Sequence, residues 1–311
     1  MLQPNEKLFD EFWTFAFERQ NVFVNKFIGK KPYTENPILK EFKFCNAYRV
    51  LDRVSQFLLS SVIQRKNNKS EDAIFRIVLF KIFNLPSTWQ ALEKEFGEIS
   101  LSKFDRTKFS KFLTKLSLIQ PLYNSAYISC ANKVFGFERK HDNHLALLEK
   151  MFVEDKLAIK IMKAKRMKEA FEILVAYPLI GNFMAYQLVT DINYSNAVDW
   201  EESEFTIVGP GSKRGIKKVF NQFDSFEEAI FFAFNNQKKY FEKLGLDFKY
   251  IQNRILQPID IQNLFCEFDK YCRVAHPELK SNRVKIKIKF VETSLRIDYV
   301  LPLKWNAVMT F

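Results

Sequence analysis

The stretch Pro178-Leu179-Ile180-Gly181-Asn182 joins two segments with helical apolar spacing, and its residue types suit the capture of a phosphate. A glycine lets a turn approach an anion closely, and free backbone N–H groups at the start of the next helix donate to it. Leu179, Ile180, Gly181 and Asn182 are therefore candidate DNA-phosphate contacts, which position a duplex without reading its sequence. Further along, Asp199, Glu201, Glu202 and Glu204 place four carboxylates within six positions. A carboxylate in such a cluster can stabilise a developing cation or activate water. Asp199, Glu202 and Glu204 are the candidates for that work. Gly209 to Lys218 then gathers three glycines and four cations at the entrance to a helix. That composition makes an anion cradle, with Gly211, Lys213, Arg214, Lys217 and Lys218 as DNA contacts. It is not a P-loop: Ile216 follows Gly215, and no G-x-x-x-x-G-K-[ST] run occurs in the chain.

Two further groupings suit a base pocket. On a helix, Asp260, Asn263 and Glu267 fall on one side, with Lys270 one turn beyond Glu267. Asp260 is a reserve catalytic carboxylate, and Glu267 with Lys270 also reads as a plain helix ion pair. Asn46, Arg49 and Arg53 share a face if their segment is helical, and Tyr33, Tyr48 or Trp13 can stack on an extruded base. Asn46, Arg49, Gln187 and Asn263 are the pocket candidates, the amides of Gln187 and Asn263 suiting a pyrimidine edge. Each grouping has a plainer reading beside it: an ordinary helical hairpin, a solvated acidic loop, a basic surface turn, a face salt-bridged through Asp52.

The elements that must carry these residues read mainly as helices. Residues 6–28 form an apolar stripe ended by Gly29, and a second long helix is expected over 38–64. Further helical segments fall at 71–83, 87–97, 107–118, 121–134, 139–150 and 153–176. The last of these overlaps a helical hairpin over 167–192 whose second helix starts at Asn182 as N-cap. Helices are also expected at 225–243 and 258–274. The tail differs: 284–290 alternate strictly and 295–301 partly, as in a small β hairpin. The expected organisation is a helical domain over 1–281 in two lobes, with a β appendage over 282–311.

Composition fits this scheme. The chain has 311 residues, 47% hydrophobic, with 34 Phe against 8 Gly and 10 Pro, which favours helices with short connections. Lys and Arg exceed Asp and Glu by 48 to 36, a net charge of +12 that suits a polyanion. Cys45, Cys130, Cys266 and Cys272 form no CxxC pair and lack iron–sulfur spacing, as thiols of a reducing compartment do. His141 and His144 can share a helix face without further ligands, so no metal is expected. No secretory signal and no membrane span is read, which places the protein in the cytoplasm.

Five segments, in order, carry a resemblance: FWTFAFERQNVFVNKFIG, PYTENPILKEFKFCNAYRVLDR, LIGNFMAYQLVTDINYS, EFTIVGPGSKRGIKKVF and DIQNLFCEFDKY. Together they are similar, over roughly residues 9–275, to the helical domain of 5-hydroxymethyluracil DNA kinases, also called the alpha-glutamyl/putrescinyl thymine pyrophosphorylase family. The turn at 178–185 in turn resembles that of helix-hairpin-helix DNA glycosylases, with Leu179 where the first glycine is usual. The resemblance implies a mainly α, two-lobed, helix-hairpin-helix DNA-glycosylase-like fold with the small C-terminal β hairpin. It also implies a catalytic carboxylate about two dozen residues past the hairpin, where Asp199 to Glu204 lie. Phe183 stands where some glycosylases carry a nucleophilic lysine, so no Schiff-base chemistry is expected there. The implied partner is DNA with modified pyrimidines, as in phage genomes, alongside enzymes of a modification or defence system. The reading preferred here is a cofactor-free glycosylase that excises a hypermodified base. The alternatives are a kinase, transferase or pyrophosphorylase acting on 5-hydroxymethyluracil in DNA, and a non-catalytic DNA-binding module.

Overall fold

The computed structural model describes residues 2–65, 69–125, 130–252, 254–279, 283, 286, 288–292, 297–309 and 311. In chain order its α-helices are α1 (Glu6–Phe27), α2 (Pro37–Glu41), α3 (Arg53–Phe57), α4 (Ser70–Phe83), α5 (Pro86–Phe96), α6 (Arg106–Leu116) and α7 (Lys140–Leu148). They continue with α8 (Leu157–Lys163), α9 (Met167–Val175), α10 (Asn182–Ile192), α11 (Pro210–Val219), α12 (Phe226–Lys243) and α13 (Pro258–Ala275). Strands β1 (Gln3–Pro4) and β2 (Phe220–Gln222) make a two-stranded antiparallel sheet. Among the described residues no helix is long and apolar enough to cross a membrane.

The chain divides into two compact units. The first comprises residues 1–52, 203–301 and 307–311; the second comprises 53–202 and 302–306. Unit 1 is organised around α1, whose apolar stripe was legible from its spacing. Asn5 caps its first turn by accepting from the Leu8 N–H, and Gly29, at φ 76°, follows its end. Phe9, Phe12, Trp13 and Phe15 on α1 are fully buried. Phe12 stacks on Phe265 of α13 with centroids 4.4 Å apart, and Phe9 meets Tyr240 of α12 edge-on at 4.6 Å. The phenylalanine excess is thus spent on a ring-packed core.

Unit 2 is built on α4, which is buried along nearly its whole length and therefore lacks a polar face. Two helices run on into π-helical segments, α3 into Leu58–Ile63 and α7 into Glu149–Glu154. The single basic helix expected over 153–176 is divided: Lys156 takes a left-handed conformation at φ 51° before α8, and Ala164 is extended after it. No helix appears among the described residues of 121–134; residues 126–129 lie outside them. Of the expected hairpin at 284–301, residues 284, 285, 287 and 293–296 lie outside the described residues. Within them, Phe290 N–H donates to Glu41 and Lys43 N–H to Ile288, so residues 288–290 run antiparallel to 41–43.

Candidate functional site

The long helix expected over 38–64 is not formed: α2 ends at Glu41, residues 42–48 are non-helical, and a 3-10 turn covers Arg49–Leu51. The backbone polar groups of this segment are claimed by side chains from elsewhere, which offers the chain an alternative to helix. Glu267 Oε2 accepts from Cys45 N–H at 3.0 Å, Asp52 Oδ1 from Asn46 N–H at 2.9 Å, and Asp260 Oδ1 from Arg49 N–H at 2.7 Å. Buried Arg19 of α1 donates to the carbonyl of Cys45 at 2.9 Å, the carbonyl of Phe44 at 3.5 Å and Asn46 Oδ1 at 3.2 Å. Asn46 Nδ2 donates to Leu51 at 2.7 Å, so its amide is occupied in holding the loop. Asn46 and Arg49 therefore do not share a helix face with Arg53, as the sequence reading had it.

This loop lies against α13 and forms a mixed cluster of charges. Asp52, Cys266 and Lys270 are partly exposed and Cys45 is exposed, yet protein crowds each of them on its other sides. Burial pushes the Asp52 carboxyl up to about 6, although the Asn46 N–H and the guanidinium groups of Arg49 and Arg19 pull it down. Burial likewise raises the Cys45 thiol well above its usual range and Cys266 to about 11. Burial pulls the Lys270 ammonium down, but its ion pair with Glu267 outweighs this and holds it above the ordinary lysine range. For Arg19 burial dominates and lowers the guanidinium despite Asp52 and Glu267.

Asp260, read as a reserve catalytic group, is buried in a capping box. Its Oδ2 accepts from Gln257 N–H at 2.9 Å at the start of α13, while Oδ1 holds Arg49 N–H of the 42–52 loop, so both oxygens are committed to backbone. Asn263 is partly exposed one turn along α13. Gln187 is buried on α10 and belongs to unit 2, whereas Asn46, Arg49 and Asn263 belong to unit 1.

The glycine-rich stretch 209–218 forms α11 rather than an open cradle. A Cβ on Gly215 would stand 2.0 Å from the Phe265 carbonyl oxygen, and one on Gly211 would stand 2.1 Å from Cys266 Sγ. Gly215 thus lets α11 approach the backbone of α13, and Gly211 leaves room for the Cys266 side chain. The four cations divide by helix face. Arg214 and Lys218 turn inward to Asp269 at 2.9 Å each, where Arg273 joins them. Burial alone would raise the Asp269 carboxyl, but its hydrogen bonds from Lys218, Arg273 and Arg214 hold it below the usual range. Lys213 and Lys217 point outward and lie over the Phe226 ring at 5.4 and 6.0 Å.

In unit 2, α9 and α10 form the expected helical hairpin. Leu179 adopts φ 65°, the left-handed region that favours glycine, at the position where a glycine is usual in such turns. The N-cap is Gly181 rather than Asn182, with no side-chain cap bond, and Gly181, Asn182 and Phe183 are exposed while Ile180 is buried. The acidic segment does not act as a group. The Asp199 side chain is 90% exposed and pairs with Lys304 Nζ at 3.1 Å. Lys304 also donates to Asn193 Oδ1 at 2.8 Å and to the Val198 carbonyl at 3.0 Å. Glu202 is buried in unit 2, and Glu204 is exposed in unit 1.

Sequence reasoning missed Arg19, Asp52 and Glu267 as parts of one cluster. Asp52 was visible only as an ion-pair partner along a helix and Glu267 as part of a polar face with Asp260 and Asn263 or as the partner of Lys270, and Arg19 lies 26 residues before Cys45, whose carbonyl it holds. Nothing in local spacing announces such a link.

Comparison with known proteins bears on the reaction. The profile of the helical domain of 5-hmdU DNA kinases matches residues 6–281. A protein named 5-hmdU DNA kinase, from Bacillus phage SP10, is 27% identical over 321 aligned positions, covering 96% of this chain and 50% of its own length. The chain thus spans about half the length of the curated relative it matches. No solved structure matches it. These findings overturn the preferred expectation of a glycosylase that hydrolyses an N-glycosidic bond, because the named relative is a phosphotransferase. The three carboxylates read as candidates for that hydrolysis have different surroundings: Asp199 is in a surface ion pair, Glu202 is buried and Glu204 is exposed. By the match over residues 6–281, the chain belongs to the family of 5-hmdU DNA kinase helical domains.

Proposed function

We propose that this chain works in phosphoryl transfer to the hydroxymethyl group of 5-hydroxymethyluracil in DNA, as the part that holds the DNA and presents the modified base. The observation that carries this reading is the match over residues 6–281, joined by a relative whose name states that activity. Because the chain spans about half of that relative, the assignment is made at the level of the DNA substrate. In the reaction proposed, the hydroxymethyl oxygen attacks the terminal phosphorus of a nucleoside triphosphate, and a nucleoside diphosphate leaves. Catalysis of such a step is mostly positioning and charge stabilisation.

Several features support DNA as the partner. The net charge is +12, and Lys213 and Lys217 are outward-facing cations on α11. The α9–α10 turn leaves Gly181, Asn182 and Phe183 exposed at a helix start, so its backbone N–H groups suit a phosphate. The left-handed Leu179 favours including this turn among helix-hairpin-helix elements. Kinship with helix-hairpin-helix glycosylases and with thymine pyrophosphorylases, in fold though not in reaction, is part of the same proposal.

The test measures affinity for duplexes that differ only in one thymine, 5-hydroxymethyluracil or 5-hydroxymethylcytosine, followed by mass spectrometry of digested nucleosides after incubation with and without ATP. Tighter binding of the 5-hydroxymethyluracil duplex is expected, with any product carrying one added phosphoryl group. Equal affinity for all three duplexes, or release of free base, would sink the reading.

A further inference from the structure

Three carboxylates meet the 42–52 loop, and they differ in how many oxygens remain free. Asp260 spends both, on Arg49 N–H and Gln257 N–H. Glu267 spends both, on Cys45 N–H and the Lys270 ammonium. Asp52 spends only Oδ1, on Asn46 N–H, and among the described residues its Oδ2 receives no hydrogen-bond donor. That carboxylate is held on a loop fixed from beneath by Arg19, which donates to three successive residues, Phe44, Cys45 and Asn46. Asp52 therefore combines three properties: a fixed orientation, partial exposure to solvent and one uncommitted acceptor oxygen. Burial acts on it most strongly and favours its protonated form; Glu267 acts in the same direction, and Arg49 and Arg19 oppose it.

A hydroxymethyl group on a pyrimidine ring differs from a methyl group by one O–H. To recognise that difference, and to phosphorylate it, a site needs a placed acceptor for the hydroxyl hydrogen. We propose that Asp52 is this acceptor: its Oδ2 takes the hydrogen bond of the hydroxymethyl group of the bound base, and takes the proton itself as that oxygen is phosphorylated. The inference rests on the proposed function and names the residue that distinguishes the modified base from thymine. The step balances with a nucleoside triphosphate as co-reactant. The hydroxymethyl oxygen forms a bond to the terminal phosphorus, the bond to the departing nucleoside diphosphate breaks, and the proton goes to Asp52 Oδ2. A carboxyl group that burial has raised to about 6 is a stronger base than an ordinary aspartate and is still ionised near neutral pH. The thiols of Cys45 and Cys266, raised by burial, remain protonated and do not compete.

Fluorescence anisotropy with duplexes carrying thymine, 5-hydroxymethyluracil or 5-formyluracil at one position tests this. The formyl group has an oxygen but no hydrogen to donate. The wild-type chain is expected to prefer 5-hydroxymethyluracil over both others by about tenfold or more, the range for a hydrogen bond to a charged group. Asp52→Asn keeps an acceptor for Asn46 N–H but replaces Oδ2 by a donor, and is expected to lose that preference while still binding the thymine duplex. An Asp52→Asn chain that keeps the wild-type preference overturns the inference. So does one that loses affinity for all three duplexes alike, since Asp52 would then serve the loop and not the hydroxyl. A wild-type chain that binds all three equally is a different failure: it overturns the proposed function, and the inference with it.

Discussion

Gly215 of α11 faces the backbone carbonyl of Phe265 on α13 so closely that an added Cβ would stand 2.0 Å from its oxygen. Gly211, one turn earlier, faces the Cys266 side chain instead, with Sγ at 2.1 Å. The two contacts differ in what can yield. A backbone carbonyl moves only with its helix, whereas a thiol can be removed. Gly215→Ala is expected to cost at least about 1–3 kcal/mol, the range for overpacking a core. Gly211→Ala should cost less once Cys266→Ala is added, and no single side-chain truncation should restore Gly215→Ala. Urea unfolding of these variants decides the matter. Wild-type stability in Gly215→Ala would contradict the close helix crossing.

Asp269 gathers three cations, Arg214, Lys218 and Arg273, and is itself completely buried. Removing the single negative charge leaves buried positive groups without compensation, because the Lys218 and Arg273 side chains are only 7% and 8% exposed. Asp269→Asn is expected to destabilise the chain by about 3–5 kcal/mol. Adding Lys218→Met should recover part of that loss by removing one stranded charge. If the double variant is less stable than the single one, electrostatic compensation is not the reason for the cluster.

Asp52 gives a pH signature with a definite sign. Its carboxyl is raised to about 6 in the fold, against an ordinary value of 3.8. The folded state therefore holds the proton more tightly than the unfolded chain, so this contribution to stability is complete below about pH 4 and is lost as pH rises through about 6. Asp52→Asn carries no such proton. It should match the wild type in acid and exceed it at pH 8 by about 1–2 kcal/mol, allowing for screening at a partly exposed site. The charged groups that act on Asp52, namely Arg19, Arg49 and Glu267, stay in place in both chains. Chemical denaturation across this range should show the gap opening with pH. A gap that is constant with pH would mean that the ionised carboxylate is not strained. A gain in stability on removing a polar group fits a residue kept for function rather than for folding.

The mainly helical architecture was legible because most helices here are set by local signals. The apolar stripe of α1, the proline starts of α5 and α13, and the turn before α10 are all visible in neighbouring residues. The segment after Glu41 was not legible, because its backbone groups are satisfied by Arg19, Glu267 and Asp260, which lie far away in sequence. Periodicity in Asn46, Arg49 and Arg53 suggested a helix face that tertiary hydrogen bonds override. The same cause hid the candidate site. Gly211 and Gly215 carried the opposite lesson: glycine signals close approach, but here to another helix rather than to a phosphate.

Gly181 offers the converse test, in which fold and binding separate. Its φ is −89°, which any residue adopts, and nothing lies within 4 Å of a Cβ built on it. No packing or backbone reason in the folded chain requires glycine there. Gly181→Val should therefore lower the unfolding free energy by no more than about 1 kcal/mol, the cost of a poorer N-cap. If a DNA phosphate approaches the exposed turn, the same substitution should weaken binding to thymine and 5-hydroxymethyluracil duplexes by a similar factor, because a phosphate contact carries no base preference. Binding of both duplexes unchanged in a stable Gly181→Val chain would remove the α9–α10 turn from the DNA interface. A change in the ratio between the duplexes would instead make the turn a reader of the base, a role its backbone donors do not explain.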